Sequence, residues 1–411
     1  MTMELPLHTA VEAFEVRDNC LCIGGRTITE IADEIGRLPF YAYDRGLIRK
    51  RVARLRAELP ESISLHYAIK ANPMPEVVRE LATLVDGLDV ASAGELAVAL
   101  DAGGNPDDIS FAGPGKQLPE LEAAVAAGIT VNVESPTELG RLASLAGTAG
   151  GKPRVAVRVN PDFELKSSGM KMAGGPKQFG IDAEAVPQLL RDMAGMPVEF
   201  SGFHIFSGSQ NLRPEAICES QTKAYELALD LARYAPGRMS TLNIGGGFGI
   251  PYFPGDKPLD LAPVAANLAR ISERARRELP GVELVLELGR YLVGEAGVYI
   301  CTVIDKKVSR GQIYLVTDGG LHHHLSASGN FGQILRKNYP VLVANKVRPT
   351  TTETVSVVGP LCTPLDLLAD RMPMAEADIG DRIAVFQSGA YGYTASPHLF
   401  LGHPPPAQVL L

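Results

Sequence analysis

Between residues 60 and 290 the sequence repeats one pattern eight times: a short apolar run, a turn, and usually an Ala/Leu-rich stretch long enough for a helix. The apolar runs are "ISLHYAI" (63–69), "GLDVAS" (87–92), "DISFAG" (108–113), "ITVNVES" (129–135), "PRVAVRVN" (153–160), "EFSGFHIF" (199–206), "STLNIGG" (240–246) and "VELVLEL" (282–288). Strands separated by helical crossovers run parallel, and eight of them close most simply into a (β/α)₈ barrel. An open doubly wound sheet is the structural alternative. After Arg290 the texture changes to β-branched, turn-bounded segments such as "GVYICTVIDKKVS" and "TETVSVVGP", which predict an antiparallel β domain. The first 45 residues also read as strands. The expected organisation is an α/β chain with residues 1–45 completing a β domain at 291–411 and a barrel at 46–290 inserted between them.

The formal charge of −8, with no long run of like charges, argues against a nucleic-acid surface. The N-terminal stretch "MTMELPLHTAVEAFEV" lacks the basic start and apolar centre of a signal peptide. No apolar run is long enough for a membrane span, so a cytoplasmic protein is expected. The five cysteines are odd in number and scattered, which fits neither a disulfide framework nor a four-ligand zinc site.

In a barrel of this kind the chemistry collects at the C-terminal ends of the strands. There the first segment ends in Lys70, an ammonium that is costly to bury. The sixth carries His204 and then "FSGSQ", the seventh runs into "GGGFG" (245–249), and the eighth ends in Glu287 followed by Arg290. A glycine run bares backbone N–H groups suited to an anion, although many such runs are only tight turns. The loops after strands seven and eight are where barrels commonly hold phosphate, and Arg290 could add a charge there. A lysine beside such a site either pairs with phosphate or forms a Schiff base. A pyridoxal phosphate enzyme also needs an acid at the ring nitrogen, which Glu287 could supply, and His204 could stack on the ring. Singly, Glu287 reads as a salt-bridge partner and His204 as a satisfied structural histidine; their convergence on one mouth favours the joint reading.

The ordered motifs "HYAIKANP", "GLDVASAGEL", "KQFGID", "GFHIFSGSQ", "NIGGGFG", "ELGRYLVGEAG", "GPLCTPLD" and "SGAYGYT" resemble the fold-type III pyridoxal phosphate-dependent decarboxylases, the group of diaminopimelate and ornithine decarboxylases. The resemblance covers roughly residues 15 to 400. It implies an alanine-racemase-like barrel plus a β domain, working as a homodimer with shared active sites. It implies that Lys70 is the Schiff-base lysine, Glu287 the pyridine-nitrogen partner and His204 the ring-stacking residue. Ser207, Gly245, Gly246, Gly247, Arg290 and Tyr391 match phosphate-holding positions, and Asp89 and Ser92 resemble residues behind the ring. Cys362 matches a cysteine that the second subunit contributes, to return the proton or to position the substrate.

Two departures bear on the substrate. The residue after the interface cysteine, acidic in the diaminopimelate and ornithine enzymes, is Thr363 here, and Asp366 follows three residues later. An uncharged residue would leave a distal ammonium unpaired. The segment "DGGLHHHLSASGNFGQILRKNYP" (318–340) has Ser326 and Asn330 where an Arg and a Tyr are expected for a distal carboxylate. His322, His323 and His324 invite a metal reading, but neighbours along a strand face opposite sides. They read instead as a solvent or interface stretch, or as contacts to substrate or partner. This version of the motifs looks most like a subgroup from secondary-metabolite and exosortase-associated clusters, some of whose members act on an aminoacyl group held by an acyl carrier protein. The expected function is therefore decarboxylation of an L- or D-configured amino acid, free or carrier-tethered. A diaminopimelate decarboxylase, a racemase on the same barrel and a catalytically silent binding protein are the alternatives.

Overall fold

Ile63–Ala68 (β1) is buried at all six positions, as a strand must be when it has helices on one side and a barrel interior on the other. Seven further parallel strands continue it: Gly87–Val90 (β2), Ile109–Phe111 (β3), Thr130–Val133 (β4), Arg154–Asn160 (β5), Glu199–His204 (β6), Thr241–Gly246 (β7) and Glu283–Leu288 (β8). Their order is β5-β6-β7-β8-β1-β2-β3-β4, and β4 pairs back onto β5, which closes the barrel. The closed barrel is the expected one, and the open doubly wound alternative is set aside. These observations come from a computed structural model, which describes residues 9–36, 39–147, 151–164, 170–331, 333 and 336–411. The start of the N-terminal stretch read for a signal peptide, residues 1–8, lies outside the described residues.

The crossover helices begin on sequence-encoded caps. Ser92 Oγ accepts from Glu95 N at 3.1 Å to start Ala93–Asp101, and Ser135 Oγ accepts from Glu138 N at 3.1 Å to start Pro136–Ser144. Both follow the pattern Ser-x-x-Glu directly after a strand. No helix among the described residues is long and apolar enough to cross a membrane.

Barrel interiors are usually filled by Val, Ile and Leu. This one is polar. Strand alternation sends Ser64, His66, Asp89, Ser110, Asn132, Arg158, His204, Asn243 and Glu287 inward, and hydrogen bonds link several of them across neighbouring strands.

The chain divides into two units, Arg51–Ile250 with Pro258–Leu292, which is the barrel, and Met1–Lys50 with Pro251–Lys257 and Val293–Leu411. In the second unit Gly297–Ser309 (β9), Gln312–Thr317 (β10), Val341–Val343 (β11), Thr352–Val358 (β12), Leu367–Ala375 (β13) and Arg382–Val385 (β14) form a sheet ordered β11-β14-β9-β10-β12-β13. The N-terminal strand Phe40–Tyr43 pairs with β9 and with Ala407–Leu410 (β15). The sheet is mixed rather than wholly antiparallel, because β10 runs parallel to β12, and β15 parallel to Phe40–Tyr43. Its core joins the two ends of the sequence: Leu21, Ile23, Ile28 and Phe40 pack with Val298, Ile300, Ala384 and Phe386.

Candidate active site

Lys70 follows β1 in a single 3₁₀ turn, Ile69–Ala71, which ends the strand and lifts the side chain to the barrel mouth. The Lys70 side chain keeps 43% of its surface exposed while Glu287, its partner on β8, keeps 3%. Nζ donates to Glu287 Oε1 at 3.2 Å. The other carboxylate oxygen lies 2.9 Å from His204 Nε2 and accepts from Asn243 Nδ2 at 3.5 Å. Burial alone would push the Glu287 carboxyl up. The Lys70 ammonium, the His204 contact and the more distant Arg158 outweigh it and hold the carboxyl far below the ordinary carboxylate range. Lysine, histidine and glutamate from β1, β6 and β8 therefore form one cluster. Phe206 borders it, with its ring 5.6 Å from Lys70 Nζ and stacked near the His204 ring at 6.3 Å.

The glycine run after β7 has a backbone that side chains would not permit. Gly245 and Gly247 both sit at φ +72°, in the left-handed region. A Cβ on Gly246 would overlap Glu287 O, so this loop can press close against the end of β8 only without side chains. Gly245 N donates to Asn243 Oδ1 at 2.8 Å, which ties the loop to the same asparagine that touches Glu287. Ser207 is buried and follows Phe206, which lies against Gly245, and Arg290 opens the short helix Arg290–Val293 just past β8. The donor set fits pyridoxal phosphate: an amine for the aldehyde, an ionised carboxylate for the ring nitrogen, an imidazole beside them, and a side-chain-free backbone with an arginine for the phosphate.

Asp89 and Ser92 are placed differently from each other. Asp89 is buried in the interior, accepts from Ser110 Oγ at 2.5 Å, and stands 3.5 Å from His66 Nδ1. The Ser92 hydroxyl is the helix cap described above.

The remaining expected residues belong to the other unit. Cys362 is exposed, and Thr363 behind it is half-buried. Asp366 is buried, and its carboxylate accepts from Leu321 N at 2.5 Å and Leu361 N at 2.8 Å. It clamps the "DGGL" and "GPLC" loops together, since a Cβ at Gly320 or Gly359 would overlap its oxygens. Tyr391 adopts φ +55°, an uncommon value for a bulky residue.

The histidine run corrects an expectation. It is neither strand nor solvent stretch, but a turn with His322, His323 and His324 almost fully buried. His323 Nδ1 lies 3.1 Å from Tyr299 Oη and Nε2 2.9 Å from Pro404 O, while His324 Nε2 lies 2.8 Å from Ser388 Oγ. Burial pushes His322 and His324 down to about 3 and His323 down to about 4, so all three are neutral near pH 7.

Sequence reasoning passed over two buried ion pairs that brace the barrel. Arg158 on β5 donates to Glu134 Oε1 at 2.8 Å, and Lys116 donates to Glu138 Oε1 at 2.7 Å and to the carbonyls of Gly113 and Asn132. It also passed over His66. Arg158 and His66 carried the same signal as Lys70, a polar residue at an inward position of an apolar strand.

Residues 45–294 match the family described as pyridoxal-dependent decarboxylase, pyridoxal binding domain. The chain is 36% identical over 378 residues to the L-glutamyl-(BtrI acyl-carrier protein) decarboxylase of Niallia circulans, across 90% of this chain and 88% of that one. It is 33% identical over 403 residues to the diaminopimelate decarboxylase of Aquifex aeolicus, across 97% and 92%. Among solved structures, the diaminopimelate decarboxylase of M. jannaschii in complex with L-lysine superposes with a TM-score of 0.87 at 25% identity, across 98% of this chain and 93% of that one.

Proposed function

Because the chain belongs to the pyridoxal-dependent decarboxylases, we propose that its substrate is an aminoacyl group carried on an acyl carrier protein rather than a free diamino acid. The chain is an amino acid decarboxylase, a lyase that uses pyridoxal phosphate. The carboxyl group that leaves must be free, so the tether has to run through a second, side-chain carboxyl. One observation carries this reading. Thr363 presents no charge, and the nearby carboxylate, Asp366, is already engaged with Leu321 N and Leu361 N. A free diamino acid would bring a distal ammonium that this segment leaves unpaired, at a cost of about 1–3 kcal/mol once desolvated. A thioester brings no such charge. The similarity to a relative that acts on a glutamyl group on a carrier protein supports the same reading.

Pyridoxal phosphate, when bound, supplies an electron sink for the pair left behind by CO₂. Lys70 Nζ would be the amine that holds its aldehyde. Glu287, ionised and buried, holds a proton at the ring nitrogen. His204, fixed by its contact with Glu287 Oε2, covers one face and keeps water away. The Gly245–Gly247 backbone and Arg290 bind the phosphate. The reaction consumes one proton, which returns to Cα. Cys362, exposed in a single chain, is suited to deliver it when contributed by a second copy in a homodimer.

The test is CO₂ release from free diaminopimelate, ornithine, lysine and arginine against a glutamyl-carrier-protein thioester. The tethered substrate should lead in kcat/KM by about 10²-fold or more. Rapid turnover of free meso-diaminopimelate refutes the reading and makes the chain a diaminopimelate decarboxylase.

A further inference from the structure

We propose that His66 is a positioning residue for the decarboxylation: as a buried cation beside Asp89, it holds that carboxylate and balances its charge in the barrel interior that Glu287 and Lys70 share. The proposal rests on the reading of Lys70 and Glu287 as cofactor-holding residues.

The geometry comes from strand register. His66 pairs with Glu287 across the parallel β1–β8 ladder, so the two side chains leave on the same face, one strand apart. On the other side His66 pairs with Gly87, and a Cβ there would overlap the ring at Cε1 and Nε2. The imidazole therefore lies across a residue that must be glycine, and this fixes its direction. Asp89, two residues along β2, stands with Oδ1 3.5 Å from His66 Nδ1. That separation is an ion-pair distance, and neither His66 Nδ1 nor Asp89 Oδ2 has a hydrogen-bond partner among the described residues.

A charge count explains why the ring should be cationic. The barrel's buried groups include the anions Glu287, Glu134 and Asp89, and the first two are matched by Lys70 and Arg158. Among the described residues the other hydrogen-bond partner of Asp89 is the Ser110 hydroxyl at 2.5 Å. A buried carboxylate with so little compensation is costly unless a cation stands next to it. Burial works against protonation of His66, but the Asp89 carboxylate, with Glu283 and Glu287 behind it, outweighs burial and raises the imidazole above its ordinary value. The charged groups acting on the ring are Asp89 from β2 and, at longer range, Glu283 and Glu287 from β8.

Removing this cation leaves net negative charge beside Lys70, which stabilises any cation held at Nζ. The test uses the full chain labelled with ¹⁵N-histidine, with and without cofactor, and His66→Gln assigns the ring signals. In the wild-type protein His66 should titrate at a higher pH than an ordinary histidine, and a midpoint at or below the ordinary value overturns the proposal. In the holoenzyme, His66→Gln and His66→Phe should lower kcat about tenfold with little change in KM. The pH midpoint of the visible cofactor band should move upward in both. An unmoved midpoint in both variants also overturns it. If Lys70→Ala leaves the visible band intact, the reading of the cofactor site fails instead, and the ¹⁵N titration without cofactor still decides the role of His66.

Discussion

Glu287→Gln keeps the shape of the side chain and removes its charge. Its carboxylate receives Lys70 at 3.2 Å, His204 at 2.9 Å and Asn243 at 3.5 Å. A unit charge pair 3.2 Å apart is worth about 5 kcal/mol at an effective dielectric of about 20. The lysine is 43% exposed, so solvent screening reduces this to about 2–4 kcal/mol. The new amide returns about 1 kcal/mol as a neutral hydrogen-bond partner. A loss of about 1–3 kcal/mol corresponds to roughly 5- to 150-fold in rate, in the range expected for removing one preorganised electrostatic partner. The assay is steady-state CO₂ release at saturating pyridoxal phosphate, with kcat and KM resolved separately. The pH dependence adds a second constraint. The wild-type carboxyl is held far below its ordinary value, so its charge is present at all pH values above that ordinary value and is lost only as pH falls through the depressed one. Across pH 6 to 8 the variant should therefore lose the same factor throughout. A loss of less than about fivefold, or one confined to one end of that range, refutes the reasoning.

Lys116→Met removes the buried cation that serves Glu138, Gly113 and Asn132 and should cost about 3–5 kcal/mol, visible as a fall in Tm of about 3–6 °C. Lys116→Met combined with Glu138→Leu should recover part of that loss, because no unpaired carboxylate remains; an equal or larger fall in the double variant contradicts the pairing. Iodoacetamide should inactivate the wild-type enzyme through Cys362, the exposed member of the five cysteines, and Cys362→Ala should have kcat lower by about 10²-fold or more. Continued inactivation of Cys362→Ala by the reagent would count against this role. Asp366→Asn weakens the clamp between Leu321 N and Leu361 N and should reduce kcat/KM by a similar factor on every substrate, whereas a selective loss on diamines would show that Asp366 reads a distal ammonium.

The barrel was legible because its signal is local and repeated. Each strand is a short apolar run, and Ser92 and Ser135 mark helix starts by rules that need no tertiary knowledge. The β unit was legible in kind but not in detail. Which strands pair depends on contacts between distant segments, such as Phe40–Tyr43 with Ala407–Leu410, and parallel pairing there leaves no trace in alternation. The histidine run misled for a related reason. Three consecutive imidazoles look solvent-seeking in sequence, and only partners distant in sequence, Tyr299 and Pro404 for His323 and Ser388 for His324, compensate the burial of two of them, while neither ring nitrogen of His322 has a hydrogen-bond partner among the described residues.

Lys70, His204 and Glu287 could be found from sequence because each breaks an apolar strand at its C-terminal end, where a barrel puts its chemistry. Arg158 and His66 break their strands too, but deeper along the inward face, where a polar residue has no use until its partners are known. Those partners, Glu134 just past the end of β4 and Asp89 on β2, come from neighbouring segments and are fixed by register rather than by spacing in sequence. The same distinction separates the chemistry of this chain from its specificity. The cofactor residues sit on strand ends whose positions follow from the barrel itself. Asp366 sits in a loop, and its sequence position beside Cys362 suggested an ammonium reader. The two backbone N–H groups it holds show that a carboxylate near a site is available to a substrate only when the fold has not already used it.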